Sequence, residues 1–180
     1  MSELLLTLST ATRMGSLAIS RGESVLAELS IDPVGTQGEV LLSSLERLLK
    51  DLSLTLDDMD AFAVVHGPGA FTGLRVGVAT VKGFALATGK PVIGVSSLQA
   101  LALQVPDRVS PVYALLDARK NEVYAGCYQW RAGMPSLVGC ERVIDPELLL
   151  DEIEGEPVFV GDGSVAYRTL IVRKLADRAR

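Results

Sequence analysis

The sequence predicts an α/β protein that is built from two similar units. Its strand and helix patterns follow the order β-β-β-α-β-α and then begin the same order again in the second half of the chain. The composition agrees with a folded protein, because apolar residues make up 48% of the 180 residues and can bury a sizeable core. We therefore expect a duplicated α/β architecture.

Three strands open the first unit. The segments Leu4–Leu8, Gly15–Ser20 and Ser24–Ile31 are strand-like, and the short connections between them contain glycine and arginine, as hairpins do. Asp32-Pro33 and Gly35 then interrupt the pattern. This arrangement predicts two consecutive hairpin connections at the start of the fold.

Helices and buried strands alternate through the rest of the first unit. Apolar residues recur at helical spacing from Glu39 to Leu49, which predicts an amphipathic helix. Thr72–Thr88 predicts a second helix, rich in small residues, which Thr72 can cap. Short apolar runs at 61–65 and 91–95 predict buried strands, and Ser96 or Ser97 is expected to cap a helix that ends at Leu103.

The second unit repeats the first in a shorter form. Strands are predicted at 112–116, 122–128, 137–143 and 158–160, and a final helix at 164–176. Asp145 and Pro146 are typical of a helix start, with Asp at the N-cap and Pro at the first helical position. We place a first lobe at residues 1–105 and a second at 106–180, which ends after a single β-α step.

The charge of the chain and its lack of targeting signals argue against a nucleic-acid binder, a secreted protein and a membrane protein. The formal net charge is −5, and neither half of the chain has the basic excess of a free-standing nucleic-acid binder. If RNA is involved, a partner supplies most of the phosphate contacts. The N-terminus lacks the basic region of a signal peptide, and no window has the length of a membrane span. We therefore expect a cytoplasmic protein in which Cys127 and Cys140 are reduced.

A glycine-rich turn precedes the helix at Thr72. In "VVHGPGAFTGLRVGVAT" (64–80), Pro68 fixes φ and Gly69 permits a left-handed turn. The spacing fails the Walker A pattern, because Thr72 stands where a glycine is needed, and Gly73 comes one residue late for a dinucleotide fingerprint. Three roles stay open for this turn: tight packing of the helix, anion binding at exposed N–H groups, and a partner surface.

Several segments carry a family resemblance. "GPGAFTGLRVG" (67–77) closely resembles the GPGSFTGLR-type signature of the TsaB (YeaZ) family, "LLDARKNEVYAGCY" (115–128) resembles its D-A-R-x-x-E-V-Y strand pair, and "FVGDGSVAY" (159–167) resembles its later G-D-G turn. "TGKPVIGVSSLQAL" (88–101) also fits the stretch after the signature helix. The resemblance covers most of the chain.

The resemblance implies both a fold and a role. The fold would be of the actin/Hsp70/sugar-kinase type (the ASKHA fold), with two ribonuclease-H-like lobes. The role would be that of a non-catalytic partner of TsaD, in the transfer of threonylcarbamoyl to adenosine 37 of ANN-decoding tRNAs. TsaD would hold the ATP and the metal ion, with no cofactor bound tightly here. TsaE, tRNA reached through the complex, and a homodimer in isolation complete the implied partners.

Two departures from the family pattern bear on catalysis. Members usually begin with Asp-Thr-Ser at the end of the first strand, where active relatives place a metal- or phosphate-facing Asp, but here the chain reads Ser9-Thr10-Ala11. A common His-Ser-Glu reads Gln37-Gly38-Glu39. The missing carboxylate argues against independent nucleotide hydrolysis, and we expect no catalytic residue and no metal site.

The remaining candidate residues fall into two groups. His66 is the chain's one histidine and has no acidic neighbour in sequence, so we expect a structural role. A tight connection between two predicted strands contains Asp117, Arg119 and Glu122, and the G-D-G turn contains Asp162. These four form either a hairpin ion pair with a capping turn or a polar surface for nucleotide or a third subunit.

The partner surface is expected on the first helix (39–49) and the signature helix (72–88), because glycines are costly in an exposed helix unless another helix approaches closely. Part of that contact is expected to be internal, against the sheet, and the rest is open to TsaD or a second copy. The predicted partner-binding residues are Leu41, Leu45, Leu48, Thr72, Gly73, Arg75, Val76, Gly77 and Thr80. Two other functions stay open. One is a small-molecule kinase or ATP-binding enzyme of the sugar-kinase class, and the other is a self-associating structural protein.

Overall fold

The computed structural model describes residues 3–31, 37–106 and 108–180. It divides the chain into two compact units, Met1–Val95 and Ser96–Arg180. The predicted break at Asp32-Pro33 and Gly35 lies outside the described residues. None of the helices in the described ranges is both long and apolar enough to span a lipid bilayer.

The first unit is a five-stranded mixed sheet with helices, as predicted. Its elements are β1 (Leu4–Ser9), β2 (Gly15–Arg21), β3 (Ser24–Ile31), α1 (Gln37–Asp51), β4 (Ala61–Gly67), α2 (Phe71–Thr88) and β5 (Val92–Ser96), with a short 3-10 helix at Leu56–Asp58. The strand order is β3-β2-β1-β4-β5, in which β1 is antiparallel to β2 and parallel to β4. The parallel pair brings the carboxyl ends of β1 and β4 to the same edge of the sheet.

The core of the first unit forms where α1 and α2 cover the sheet. Strand residues alternate between its two faces, so Leu4, Leu6 and Leu8 of β1 are all buried in one cluster. Leu41 of α1 and Val81 of α2 belong to the same cluster. Phe62 of β4 adds a tilted aromatic contact with Phe84, at 5.8 Å between ring centroids.

The second unit contains a four-stranded sheet of order β8-β7-β6-β9 in the described residues. Its elements are α3 (Ser97–Leu103), β6 (Val112–Arg119), β7 (Glu122–Arg131), β8 (Met134–Ile144), α4 (Pro146–Asp151), β9 (Val158–Val160), α5 (Asp162–Ala166) and α6 (Arg168–Leu175), then a 3-10 turn at Ala176–Arg178. Alternate residues of β6 enter two cores, with Leu115 facing α4 and α6 and Ala114 facing α3. The predicted β-β-β-α-β-α order therefore occurs in both units.

Two features differ from the sequence prediction. Helix α3 was expected in the first lobe, but it belongs to the second unit, because Leu98 and Ala102 are fully buried in a cluster with Val112 and Tyr128. The single final helix predicted at 164–176 is two helices, α5 and α6, which meet at Tyr167 with φ −104° and ψ 18°. A tyrosine is an ordinary helix residue, so the local sequence does not mark this break.

Candidate functional site

The glycine turn before α2 is held by close packing against the end of β1. The N–H of Ala70 donates a hydrogen bond to the carbonyl of Ala11 at 2.7 Å. A Cβ atom placed on Gly69 would lie 2.2 Å from the same carbonyl oxygen, so only glycine fits there. The backbone of this turn therefore contacts the chain itself, and the Ala70 N–H is already used. The helix begins at Phe71 with Ala70 as its N-cap, so Thr72 does not cap it.

The small residues of the signature helix face the sheet. A Cβ atom on Gly77 would lie 2.2 Å from Thr10 Oγ1 and 2.9 Å from Leu8 Cδ2, and the buried hydroxyl of Thr10 donates to the Gly73 carbonyl at 2.7 Å. Gly73 and Gly77 are both buried. The close approach that they permit is between α2 and β1 within this unit, which is the internal part of the contact expected of them, and their role in binding a partner stays a prediction.

Helix α1 also turns its apolar face inward. Leu41 and Leu45 are 2% and 3% exposed and lie in the first core, with Leu48 and Val76 packed partly buried against it. Leu41 and Leu45 thus pack inside this unit, and their role in binding a partner stays a prediction. The apolar periodicity of α1 is explained by its contact with the sheet. On the outer side of α1, Leu42 is 50% exposed among charged residues.

The side of α2 opposite the sheet is exposed. Five residues at helical spacing are exposed along it and are called the α2 face below: Phe71, Arg75, Ala79, Lys82 and Leu86. Phe71 is 66% and Leu86 88% exposed, and the Arg75 guanidinium carbon lies 4.0 Å from the centroid of the Phe71 ring. Of the predicted partner-binding residues, Thr72 and Arg75 are exposed and Thr80 is partly buried.

The sequence analysis missed Phe71, Ala79, Lys82 and Leu86. Their spacing of three and four residues was present in the sequence, on the side of the helix opposite Gly73 and Gly77. A helical projection that assigned the small residues to the sheet would have found them. Aromatic and arginine side chains are also enriched among the residues that dominate binding energy at protein interfaces.

The polar turn of the second unit brings three of its four predicted residues together. The N–H of Asp117 donates to Asp162 Oδ1 at 3.0 Å, and the side chain of Asp117 accepts from the N–H of Arg119 at 2.9 Å. The Arg119 guanidinium lies 3.3 Å from Asp117 Oδ2. Glu122 is paired with Arg119 in the strand register, and its side chain is exposed. Burial, followed by the charges of Asp117 and Asp145, raises the pKa of the nearby Tyr167.

The turn around Asp162 is also closely packed. A Cβ atom on Gly161, whose φ is +99°, would lie 2.1 Å from the Leu115 carbonyl oxygen, and one on Gly163 would lie 3.0 Å from Leu115 atoms. The two glycines thus fit α5 closely against β6. The hairpin ion pair and the turn both exist as predicted, and Arg119, Glu122 and Asp162 are exposed.

His66 and Cys140 are exposed, whereas Cys127 is partly buried. The His66 ring lies over Gly94 of β5, where an added Cβ would be 2.8 Å from its Cδ2 atom. Both cysteines are free thiols, and Cys127 is near the hydroxyl of Tyr113, where burial raises the pKa of each group. In the described ranges, no three His, Cys, Asp or Glu side chains are grouped so as to hold a metal ion.

A hydrogen-bonded triad in the second unit is not predicted by the sequence. The hydroxyls of Ser96 and Tyr128 both donate to Oε1 of Glu141. Ser96 also caps α3, accepting from the N–H groups of Leu98 and Gln99, as predicted. The triad joins the start of α3 to the β7–β8 hairpin, and Ser96 lies 45 residues before Glu141, so no local sequence pattern could have revealed it.

Known proteins resemble this chain over most of its length. The family model for TsaD, tRNA N6-adenosine threonylcarbamoyltransferase, matches residues 37–171. The tRNA threonylcarbamoyladenosine biosynthesis protein TsaB of Haemophilus influenzae is 32% identical and aligns with 95% of this chain and 77% of its own length. The protein of the same name from Escherichia coli is 33% identical over 92% of this chain and 74% of its own.

A solved structure gives the same result. YeaZ from Pseudomonas aeruginosa superposes with a TM-score of 0.80 at 33% identity, over 93% of this chain and 79% of its own. The two mixed sheets with flanking helices form the actin/Hsp70/sugar-kinase type of fold that the resemblance implied. The chain therefore belongs to the TsaB (YeaZ) family of tRNA threonylcarbamoyladenosine biosynthesis proteins.

Proposed function

We propose that this chain is a non-catalytic subunit that binds TsaD, and that the pair takes part in the transfer of threonylcarbamoyl to adenosine 37 of ANN-decoding tRNAs. Family membership supports the pathway. The observation that carries the partner role is the α2 face, because it exposes Phe71 and Leu86 beside a stacked arginine. Exposed apolar side chains gathered on one helix face are a common feature of protein–protein contacts.

The non-catalytic role is supported by two features of the first unit. Ser9 stands where active relatives place a carboxylate, and the N–H of Ala70 at the start of α2 already donates to the carbonyl of Ala11. TsaD would then supply the ATP and metal chemistry. TsaE and tRNA would join through the complex, and the polar turn at Asp117, Arg119, Glu122 and Asp162 is a candidate surface for a third subunit or nucleotide.

Co-purification with TsaD tests the partner role. Ala79 lies near the middle of the α2 face and is exposed, so Ala79→Arg should leave the fold intact while its bulk and charge disrupt a helix contact. Ser24→Arg is the matched control, since Ser24 is exposed on β3, the edge strand of the first sheet that lies opposite β5. We expect TsaD to retain the control and lose the Ala79 variant. Equal retention of both folded variants would place the contact elsewhere.

Two alternatives are separated by simpler measurements. An enzyme of the sugar-kinase class would bind ATP with measurable heat in isothermal titration, and pure protein would release phosphate from it. A self-associating structural protein would form the same oligomer with or without TsaD. Because the α2 face is also available to a second copy, we expect self-association to compete with TsaD rather than replace it.

A further inference from the structure

A cavity of about 320 Å³ lies in the second unit, between the β7–β8 hairpin and α4, and is called the α4 cavity below. Cys127 of β7 is paired with Val138 of β8. Two residues back along β7, Ala125 is paired with Arg142, so one residue of β7 stands opposite three of β8. Extra residues of this kind bend a strand locally. The bend includes Gly139, whose φ is +78°, and this segment forms one wall of the cavity.

Most of the wall of the α4 cavity is apolar. Ala125, Leu149 and Ile153 line it and are at most 4% exposed, whereas Val138 lines it and is 41% exposed. The cavity is therefore apolar inside and reaches solvent at the hairpin. A concave site of this volume, with an apolar wall and a few polar groups, is typical of sites for small organic molecules.

The polar groups of the α4 cavity lie close together. The hydroxyl of Tyr113 is hydrogen-bonded to the thiol of Cys127, its register partner on β7. Arg142 donates to Oε2 of Glu152, which joins β8 to the end of α4. Burial is the largest cause that raises the pKa of Tyr113, and Cys127 adds to it. The charge of Glu152 raises this pKa further and that of Arg142 lowers it, so both charges lie near the phenol.

The ion pair between Arg142 and Glu152 is available to a ligand. Their side chains are 43% and 52% exposed, and an exposed pair of this kind contributes little to stability, so a ligand can bind beside it or separate it at small cost. A guanidinium has five N–H donors and a carboxylate has a second oxygen, which leaves bonding capacity on both partners. Because the pair has no net charge, it favours a molecule that carries both a negative and a positive group.

We infer that the α4 cavity binds a free α-amino acid with an apolar side chain. The carboxylate of the ligand accepts hydrogen bonds from Arg142, and its ammonium group donates to Glu152. Its side chain lies against the apolar wall formed by Leu149 and Ile153. A simple acid or a simple amine would satisfy only one member of the ion pair. The inference concerns the second unit alone and does not depend on binding of TsaD.

Titration calorimetry of the whole chain with L-leucine and L-phenylalanine tests the ligand class. We expect at least one of them to bind with a Kd of about 1 mM or below. The matched analogues lack the carboxylate (isoamylamine and phenethylamine) or the ammonium group (isocaproate and hydrocinnamate). Each analogue should bind about tenfold more weakly or worse than its amino acid, because it loses charge-assisted hydrogen bonds. No binding of either amino acid, or equal binding of the analogues, would overturn the inference.

Variants of the ion pair test the location of the site. Arg142→Gln and Glu152→Gln should each weaken binding about tenfold or more, since each removes one charge from the pair. The matched controls are Arg131→Gln and Glu154→Gln, which change exposed residues outside the cavity lining and should bind like the wild type. Circular dichroism checks that all four variants are folded.

Alkylation of Cys140 gives a second measure of location. Cys140 is exposed and lines the α4 cavity, whereas burial raises the pKa of the Cys127 thiol and slows its reaction. A saturating amino acid should therefore reduce the rate at which iodoacetamide modifies Cys140, as followed by mass spectrometry. If the amino acid binds but leaves this rate unchanged, and Arg142→Gln and Glu152→Gln bind it like the wild type, the site lies elsewhere and the inference is wrong.

Discussion

At the residue scale, two glycines of the same helix have opposite surroundings. Gly77 has no room for a methyl group, because Thr10 and Leu8 lie within 3 Å of the position that its Cβ would take. Gly83 has no heavy atom within 4 Å of that position. The difference shows that a glycine-rich helix can contain both packing residues and residues without a structural constraint.

The matched pair Gly77→Ala and Gly83→Ala tests this contrast. We expect Gly77→Ala to lower the free energy of unfolding by about 1–3 kcal/mol, since the overpacked site must shift. Gly83→Ala should raise it by up to about 1 kcal/mol, because alanine is the better helix former and meets no obstacle. Urea denaturation measures both, and a destabilised Gly83 variant would show that this position is constrained after all.

Tyr128 links the stability of the second unit to alkaline pH. The side chain is 1% exposed, and burial followed by its hydrogen bond to Glu141 raises the pKa of its hydroxyl above the ordinary value of 10. The folded state therefore keeps the phenol neutral where the unfolded chain begins to ionise. The stability that this provides is complete below pH 10 and is lost as the pH rises above it.

Replacing Tyr128 should reduce the loss of unfolding free energy at alkaline pH. In Tyr128→Phe, the fall in unfolding free energy above pH 10 should be shallower than in the wild type, by up to about 1.4 kcal/mol per pH unit. Urea titrations between pH 8 and pH 11 on both proteins measure the difference in slope. Parallel curves would mean that Tyr128 ionises alike in the folded and unfolded states.

At the scale of elements, periodicity located the helices and strands but not their partners. Leu41 and Leu45 were recognised as one apolar face of α1, yet the pattern cannot tell whether such a face meets a sheet or another protein. Internal packing of Gly73 and Gly77 against the sheet was predictable, but the residues of β1 that they meet were not, because these contacts join positions more than sixty residues apart in sequence. The polar turn was predictable, since Asp117 and Arg119 contact each other within a hairpin.

The start of α4 was also predicted from sequence and gives an element-scale test. The carboxylate of Asp145 accepts from the N–H groups of Glu147 at 2.7 Å and Leu148 at 3.4 Å. This cap orients a short helix whose Leu149 and Leu150 are buried in the core. Asp145→Ala should cost about 1 kcal/mol of unfolding free energy, whereas Asp145→Asn, which can still accept these bonds, should cost much less. Thermal unfolding of both variants checks the difference, and equal losses would argue against capping.

At the scale of the whole molecule, acidic side chains outnumber basic side chains in both halves of the chain. Residues 1–90 carry 7 basic and 10 acidic side chains, and residues 91–180 carry 10 and 12. Several cations of the second unit are already paired, as Lys174 is with Glu147 and Asp151. Arg75 and Lys82 are the two cations of the α2 face, and two exposed charges are too few for a nucleic-acid binding surface.

We therefore predict that the chain alone does not bind tRNA tightly. Affinity for a phosphate backbone comes mainly from counterion release by several clustered Lys and Arg side chains. The basic residues Arg173, Lys174 and Arg180 at the end of this chain are paired with carboxylates, and the net charge is −5, so the chain should bind only weakly at physiological salt. Fluorescence anisotropy of labelled ANN-decoding tRNA measures this. The signal should stay flat as this chain is added and rise when TsaD and TsaE are added with it, if the partners supply the phosphate contacts. Tight, salt-sensitive binding by the isolated chain would contradict the prediction and assign tRNA recognition to this chain itself.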